Sequence, residues 1–214
     1  MDGDYPQLIL ADRDPDFYRI AAEYLADVEG VQVTRCHFNE VEIYDCLIMP
    51  GNSFGLIAED SLQAEIFAYF EADLDKRIQS RILAEFLGEQ LVGTCILAET
   101  GHPLHRMVAH VPIMRVTMPV AYTDNIYQAS WAALLAVHHH NQQSGVAAIR
   151  SVLFPNLGIK NTALPPAQAA RQIALAIRNY RMPPKNLNWH FANNRQQEVR
   201  YGGDDGFGFP PEWA

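Results

Sequence analysis

The segment DCLIMPGNSFGLIAEDS, residues 45–61, decides how the rest of the sequence is interpreted. Its apolar run Cys46–Met49 has the length of a buried strand and is too short for a core helix. Pro50–Asn52 predicts that this strand stops abruptly, and a helical pattern begins near Ser61. Open α/β sheets bind their ligands where a strand passes through a loop into a helix, at the carboxyl end of the strand. The sequence therefore predicts that any binding site begins in the loop after this strand.

Before this segment, the sequence predicts a strand, a helix and a second strand. Gln7–Ala11 is an apolar run typical of a strand. Asp14 followed by Pro15 is a typical helix start, with Asp14 as the N-cap. Apolar residues then recur at helical spacing as far as Val28, and the alternating segment Val31–Cys36 predicts the second strand.

After this segment, helical and strand patterns continue to alternate. A long helical pattern from Ser61 to Leu87 carries a break near Asp73–Asp75. Three further strands are predicted, at Val92–Ala98, Arg106–Met114 and Ala148–Phe154. A helix capped by Thr123, Asp124 or Asn125 is predicted to run to about Gln142, and a last helix to open at Pro165–Pro166 and run to Tyr180. This alternation predicts an α/β fold of three layers, with a mixed central sheet and helices on both faces.

Composition narrows the classes of protein to which the chain can belong. With 214 residues, 49% hydrophobic and 19% charged, the sequence is that of a folded globular protein with a sizeable core. Its formal net charge of -9 argues against a nucleic-acid partner, because such proteins usually present a basic face to the phosphates. No apolar run is long enough to span a bilayer, and the three cysteines form no CxxC pair. We therefore expect a cytoplasmic protein with free thiols and no membrane partner.

Two loops and several separated motifs resemble those of one family. Pro50–Leu56 reads PGNSFGL, and Pro155–Lys160 reads PNLGIK. Both segments are similar, in order and spacing, to the ligand loops of the macro domain, an α/β module that binds ADP-ribose. Similar residues at Gly93–Leu97 and Ala169–Gln172 extend the resemblance over the segment Leu8–Arg181. The resemblance implies the three-layer macro-domain fold.

The resemblance also implies a domain organisation. Residues 1–181 are predicted to form the macro-like domain, and residues 182–214 a C-terminal extension that is not a separate domain. After Met182 the sequence becomes rich in proline, glycine and aromatic residues, without a helical or strand period. The aromatic residues of this extension could anchor a protein partner; they are Phe207, Phe209 and Trp213.

The same resemblance implies a ligand and a set of site residues. The ligand is ADP-ribose or a related nucleotide, bound without a metal or other cofactor. Asn52 matches the family asparagine near the distal ribose, where hydrolase members position water and substrate. Any ADP-ribosyl hydrolase-like activity would therefore depend on it. Asn52 is equally consistent with a turn residue that bonds its own backbone. The ligand-binding residues implied by the resemblance are His37, Asn52, Ser53, Phe54, Gly55, Leu157, Gly158, Ile159 and Lys160.

Three positions depart from the family pattern. Where the first family loop continues in glycines that approach the diphosphate, this chain has Ala58, Glu59 and Asp60. A carboxylate held near a phosphate charge costs about 3–4 kcal/mol at the effective dielectric of a protein surface. A side chain also blocks the close backbone approach that glycine permits. A glycine of the last loop is replaced by Lys160, and the aspartate that accepts the adenine amino group is replaced by His37.

These departures leave a second interpretation open. The chain would then be a degenerate macro domain that binds no nucleotide and acts as an interaction or structural subunit.

Two other kinds of site, a nucleophilic serine and a histidine metal site, fit the sequence less well. Ser53 lies in no G-x-S-x-G motif of a nucleophilic serine. The consecutive residues His138–His140 would point about 100° apart on a helix, so they cannot converge on one metal ion.

Overall fold

Strands and helices alternate along the chain. The computed structural model describes residues 5–70, 73–158 and 162–201, without the side chains of residues 200 and 201. The strands are β1 Gln7–Ala11, β2 Val31–Thr34, β3 Cys46–Asn52, β4 Ile96–Glu99, β5 Met107–Met114 and β6 Ser151–Pro155. The helices are α1 Pro15–Leu25, α2 Leu62–Phe70, α3 Leu74–Glu85, α4 Asn125–Asn141, α5 Pro166–Arg181 and α6 Trp189–Gln196. A 3-10 turn, Phe38–Glu40, precedes β3, and a π-helical turn, Gln197–Tyr201, follows α6.

The strands form one mixed sheet in the order β2-β1-β6-β3-β5-β4. Neighbouring strands run parallel, except that β4 pairs antiparallel with β5. Because β3 and β6 are parallel neighbours, the loops that follow them leave the sheet at the same edge. The sheet therefore brings together two loops that are far apart in the sequence.

Helices cover both faces of this sheet. Helices α1, α4 and α5 share one apolar core with sheet residues that include Leu8 and Ile48. Helices α2 and α3 cover the opposite face, where Ile66 and Ile78 pack with Leu47. Leu47 and Ile48 thus point into different cores, as the pleat of a strand requires. The predicted α/β fold of three layers, with a mixed central sheet, is confirmed.

Two helix boundaries lie where the sequence predicts them. The carboxylate of Asp14 accepts the backbone N–H groups of Asp16 at 2.9 Å and Phe17 at 3.0 Å. Pro15 occupies the first helical position, so the predicted N-cap of α1 is confirmed. The long helical pattern divides into α2 and α3, with Leu74 as the first residue of α3. The predicted break in that pattern is therefore also confirmed.

Strand β3 is longer than the sequence pattern indicates. The prediction that Pro50–Asn52 ends the strand is wrong, because β3 continues in register with β5 as far as Asn52. On its other side, β3 pairs with β6 only through Cys46 and Leu47. Beyond Leu47 the strand has one strand neighbour, so a proline that lacks an N–H is tolerated as it is on an edge strand.

The two edge strands are shorter than predicted. Strand β2 ends at Thr34 rather than Cys36, and β4 begins at Ile96 rather than Val92. Short edge strands leave few backbone groups unpaired along the border of a sheet. These differences do not change the predicted order of elements.

Helix α6 lies in the predicted C-terminal extension, where no sequence pattern indicates a helix. Its N-cap, Asn188, accepts the N–H of Phe191 at 2.8 Å. Arg195 donates to the hydroxyl of Tyr127 at 3.2 Å and lies over the ring of Trp131. The helix therefore contacts the surface of α4.

Two further predictions concern the extension and membranes. The predicted anchor residues Phe207, Phe209 and Trp213 lie outside the described residues. Across the ranges that the structure describes, no helix has both the length and the apolar character needed to cross a membrane.

Candidate ligand-binding cleft

The sheet opens at its carboxyl edge between β3 and β6. The two strands pair only at Cys46–Leu47 and Val152–Leu153, although β3 continues to Asn52 and β6 to Pro155. In contrast, β1 and β6 stay paired through the whole of β1. The loop that follows β3, residues 52–60 (the first loop), and the loop that follows β6 (the second loop) therefore flank a parted pair of strands. Ligands of α/β sheets bind at such crevices.

Asn52 is held by the first loop itself. Its Nδ2 donates to the carbonyl of Leu56 at 2.6 Å. Its Oδ1 accepts the N–H groups of Phe54 at 3.1 Å and Leu56 at 3.2 Å. The residue is only 8% exposed. Its contacts are those of a turn residue, and a role for Asn52 in catalysis stays a prediction.

Ser53 and Gly55 anchor the first loop to the rest of the domain. Ser53 is buried, and its N–H donates to the carbonyl of Met114 at 3.1 Å. Phe54 is half-buried. Gly55 has a φ of 62°, and a Cβ at this position would lie 3.0 Å from Ile82 Cδ1. Glycine fits both this conformation and this packing.

The second half of the first loop is acidic and exposed. Glu59 and Asp60 are both exposed, and Asp60 has a φ of 56°. The hydroxyl of Ser61 donates to the carbonyl of Ala58 at 2.6 Å and accepts the N–H of Ala64 at 3.1 Å. Ser61 therefore caps α2 while closing the loop. Two carboxylates therefore stand on this loop, at positions where the sequence resemblance implies glycines that approach a diphosphate.

The second loop is held close to α5. Leu157 is fully buried, and the N–H of Gly158 donates to Asn156 Oδ1 at 2.9 Å. A Cβ on Gly158 would lie 3.1 Å from the Cβ of Ala169 in α5. A larger residue at Gly158 would push the loop away from the helix. The other two predicted residues of this loop, Ile159 and Lys160, lie outside the described residues.

His37 lies at the far end of the same edge, after β2. Strand β2 lies three positions from β3 in the sheet, and at about 4.8 Å between neighbouring strands the two strands are roughly 14 Å apart. The Nε2 of His37 lies 3.2 Å from the carboxylate of Glu65 in α2, and its Nδ1 lies 2.9 Å from Asn39 Oδ1. Both ring nitrogens therefore face oxygen acceptors. In this arrangement neither nitrogen is free to accept a hydrogen bond from a ligand amino group.

Sequence reasoning missed Asp12, which directly follows β1. Its carboxylate accepts the N–H of Asp14 at 2.7 Å and a backbone hydrogen bond from Asn156. Burial raises the pKa of Asp12 above its usual value, against the lowering effect of those hydrogen bonds. The carboxylate thus lies between the second loop and the His37 end of the edge. An acidic residue directly after a predicted strand is the signal that could have found it.

A second missed group lies beneath the first loop. His110 of β5 is fully buried, and its Nδ1 lies 2.7 Å from Gln90 Oε1. The backbone N–H of Gln90 donates to the carbonyl of Ser53 at 2.8 Å. Burial lowers the pKa of His110 to about 4, so the ring is neutral near pH 7. No sequence pattern connects these residues, because they meet only in the folded chain.

Two cavities lie away from this edge. One of about 460 Å³ is lined by Tyr5, Gly30 and Arg181, and one of about 580 Å³ by His102 and Met107. Both lie at the amino edge of the parallel strands. Within the described ranges, no three His, Cys, Asp or Glu side chains come close enough to hold a metal ion together.

Comparisons with known proteins identify the fold. No protein-family model and no curated protein sequence matches the chain. Among solved structures, the macrodomain of Mycobacterium tuberculosis DarG matches with a TM-score of 0.52 and 15% identity, over 64% of this chain and 84% of that one. The Oceanobacillus iheyensis macrodomain with MES bound matches with a TM-score of 0.55 and 16% identity, over 75% and 85%. A mutant of the same macrodomain with ADPR (ADP-ribose) matches with a TM-score of 0.53 and 16% identity, over 75% and 87%.

These likenesses show that the chain has the macrodomain fold. The resemblance found in the sequence is thus confirmed at the level of fold. The identities of 15% and 16% place the chain far from these proteins in sequence. The parted strands β3 and β6, with their two loops, lie at the carboxyl edge of this sheet, which is the edge where α/β sheets bind ligands.

Proposed function

We propose that this chain binds ADP-ribose or a related nucleotide in the cleft between β3 and β6. The observation that carries the proposal is the parting of these strands at the carboxyl edge of a sheet with the macrodomain fold. The O. iheyensis macrodomain mutant whose structure contains ADPR supports this class of ligand. The negative net charge of -9 weighs against nucleic acid as the partner.

The residues around the cleft suit different parts of such a ligand. Phe54 is half-buried in the first loop, where its ring can stack on a ribose or a base. Asp12 offers a carboxylate that can accept a hydrogen bond from a hydroxyl or amino group. Glu59 and Asp60 oppose a diphosphate, but both are exposed and can turn toward solvent. We therefore expect binding that is weakened by these two charges.

The hydrogen bonds of Asn52 bear on catalysis rather than on binding. All polar atoms of the Asn52 side chain are engaged inside the first loop. An ADP-ribosyl hydrolase-like activity would require Asn52 to leave Phe54 and Leu56 before it could position a water. We therefore propose a binding module rather than an efficient hydrolase.

The second candidate function is that of a degenerate module which serves as an interaction or structural subunit. The observation in its favour is the exposed, acidic second half of the first loop, at Glu59 and Asp60. Exposed apolar side chains on loops at the carboxyl edge also suit a protein partner; they are Leu56, Ile57, Val116 and Met118. Under this alternative the cleft binds no diphosphate.

Isothermal titration calorimetry with ADP-ribose separates the two functions. The binding module should give a saturable isotherm with a Kd below about 1 mM, and AMP and ribose 5-phosphate should each bind more weakly than the whole ligand. Absence of heat at millimolar ADP-ribose, from protein that unfolds cooperatively, would remove the binding proposal. The degenerate-module alternative would then stand.

A further inference from the structure

Three buried polar side chains from separate segments meet behind Gly51, the residue that precedes Asn52. They are His110 of β5, Gln63 of α2 and Gln90 of the segment before β4, and they are 0%, 2% and 0% exposed. A methyl group at Gly51 would overlap His110 Nε2 and lie 3.1 Å from Gln63 Nε2. The imidazole and the Gln63 carboxamide therefore pack directly against the backbone at the end of β3.

Gln90 connects this cluster to the first loop. Its Oε1 lies 2.7 Å from His110 Nδ1, and its Nε2 donates to the His110 carbonyl at 3.3 Å. A carboxamide oxygen only accepts, so Nδ1 of His110 carries the proton and Nε2 is the bare nitrogen that faces Gly51. The backbone N–H of Gln90 donates to the carbonyl of Ser53 at 2.8 Å. His110 thus orients Gln90, and Gln90 holds Ser53.

This arrangement costs stability. His110 Nε2 and Gln63 Nε2 are buried without a hydrogen-bond partner among the described residues. Buried polar atoms left unpaired destabilise a fold, and an apolar side chain at the same place would avoid the cost. A cluster that serves only to stabilise the core would not be built in this way. What the cluster does provide is a defined position for the backbone of Gly51–Ser53.

We propose that His110 and Gln90 are positioning residues of the cleft, which hold the first loop in the conformation that binds the ligand. This inference rests on the proposed function. Neither residue reaches the ligand, since both are fully buried. They act through Gly51 and Ser53, which lead from β3 into the first loop.

The test compares His110→Leu with His110→Asn and with the surface control His139→Leu. Leucine removes the N–H at Nδ1, whereas the asparagine side chain places an N–H close to that position. Amide hydrogen exchange reports on the first loop through Phe54 and Leu56, whose N–H groups bond to Asn52 Oδ1. The amide of Leu8 in β1, which donates to the Gly30 carbonyl, is the internal reference.

In His110→Leu, we expect exchange at Phe54 and Leu56 to become at least about tenfold faster relative to Leu8. The affinity for ADP-ribose should fall by about tenfold or more, and His110→Asn should restore both readouts to within about threefold of wild type. His139→Leu should change neither readout. If His110→Leu does not fold, Gln90→Met with Gln143→Met as its control serves for the same measurements.

Two results would overturn the inference. One is unchanged relative exchange at Phe54 and Leu56 in the folded variant. The other is wild-type affinity for ADP-ribose in a variant whose loop exchanges faster. If the wild-type protein itself binds no ADP-ribose, the proposed function fails, and the exchange measurement alone decides whether His110 and Gln90 position the loop.

Discussion

Asn52 joins its carboxamide to the backbone of Phe54 and Leu56 through three hydrogen bonds. Replacing Asn52 by alanine leaves these backbone groups without their partner at a site that is largely buried. We expect the free energy of unfolding, measured by urea denaturation, to fall by about 1–3 kcal/mol. A loss below about 0.5 kcal/mol, the range of ordinary surface substitutions, would show that the loop does not depend on Asn52.

His110 makes stability depend on pH. Burial lowers its pKa from the ordinary value of 6.5 to about 4. A histidine with a depressed folded pKa contributes its full stability above its unfolded pKa, and that contribution is lost as the pH falls from about 6.5 to about 4. Over this interval we expect wild type to lose roughly 3 kcal/mol more than His110→Leu in urea denaturation.

Other groups also titrate as the pH falls. Burial lowers the pKa of His105 as well. Burial alone would raise the pKa of Asp45, but hydrogen bonds from Arg106 and from the backbone of Arg150 hold that pKa below its usual value. These groups are present in both proteins, so their effects cancel in the difference between wild type and His110→Leu. Identical pH profiles for the two proteins would contradict a neutral, buried His110.

At the scale of the element, we propose that the second half of the first loop decides how well the cleft accepts a diphosphate. Glu59 and Asp60 are exposed, and the φ of 56° at Asp60 suits glycine. We expect Glu59→Gly/Asp60→Gly to raise the affinity for ADP-ribose in calorimetry by about tenfold or more, because two like charges and their bulk are removed.

The matched variant Glu59→Gln/Asp60→Asn removes the charges and keeps the bulk. If charge dominates, both double variants should gain affinity equally; if bulk dominates, only the glycine variant should gain. An affinity that is unchanged in both would show that these residues do not oppose the ligand.

Local chemistry explains which elements could be predicted from the sequence. Gln7–Ala11 and the Asp14 cap of α1 depend on nearby residues alone, and both were predicted correctly. The end of β3 was not, because Pro50 is tolerated only where β6 no longer pairs with β3, which no local pattern reveals. Helix α6 has no apolar period and contacts α4 through Arg195, so its sequence carries no helical signal.

At the scale of the molecule, the alternation of strands and helices predicted the three layers, and the two loop motifs indicated the fold. The strand order could not be predicted from periodicity, because it depends on contacts between distant segments. For the same reason, the sequence predicted only part of the candidate site. The strand-to-helix pattern predicted the first loop and the family resemblance added the second, whereas Gln90 and His110 connect to the first loop through contacts made only in the folded chain. Asp12 directly follows a predicted strand, but its hydrogen bond from the second loop is visible only in the structure.

We propose that the domain ends after Arg181, at the end of α5. A chain that stops at Met182 should then unfold in one cooperative thermal transition. It should lose about 1–2 kcal/mol of stability, because the contacts of Arg195 with Tyr127 and Trp131 are removed. A truncated chain without a cooperative transition would show that α6 belongs to the domain.

The most direct test of a ligand cleft between β3 and β6 is an ADP-ribose titration followed by amide ¹H–¹⁵N NMR. We predict that the largest shift changes fall on the amides of Asn52–Leu56 and Asn156–Gly158, which flank the parted strands. The chemical shifts of amides at the opposite edge, such as those of Gly30 and Met107, should not change. Shift changes confined to that opposite edge, or a spectrum unchanged at millimolar ADP-ribose, would contradict the account.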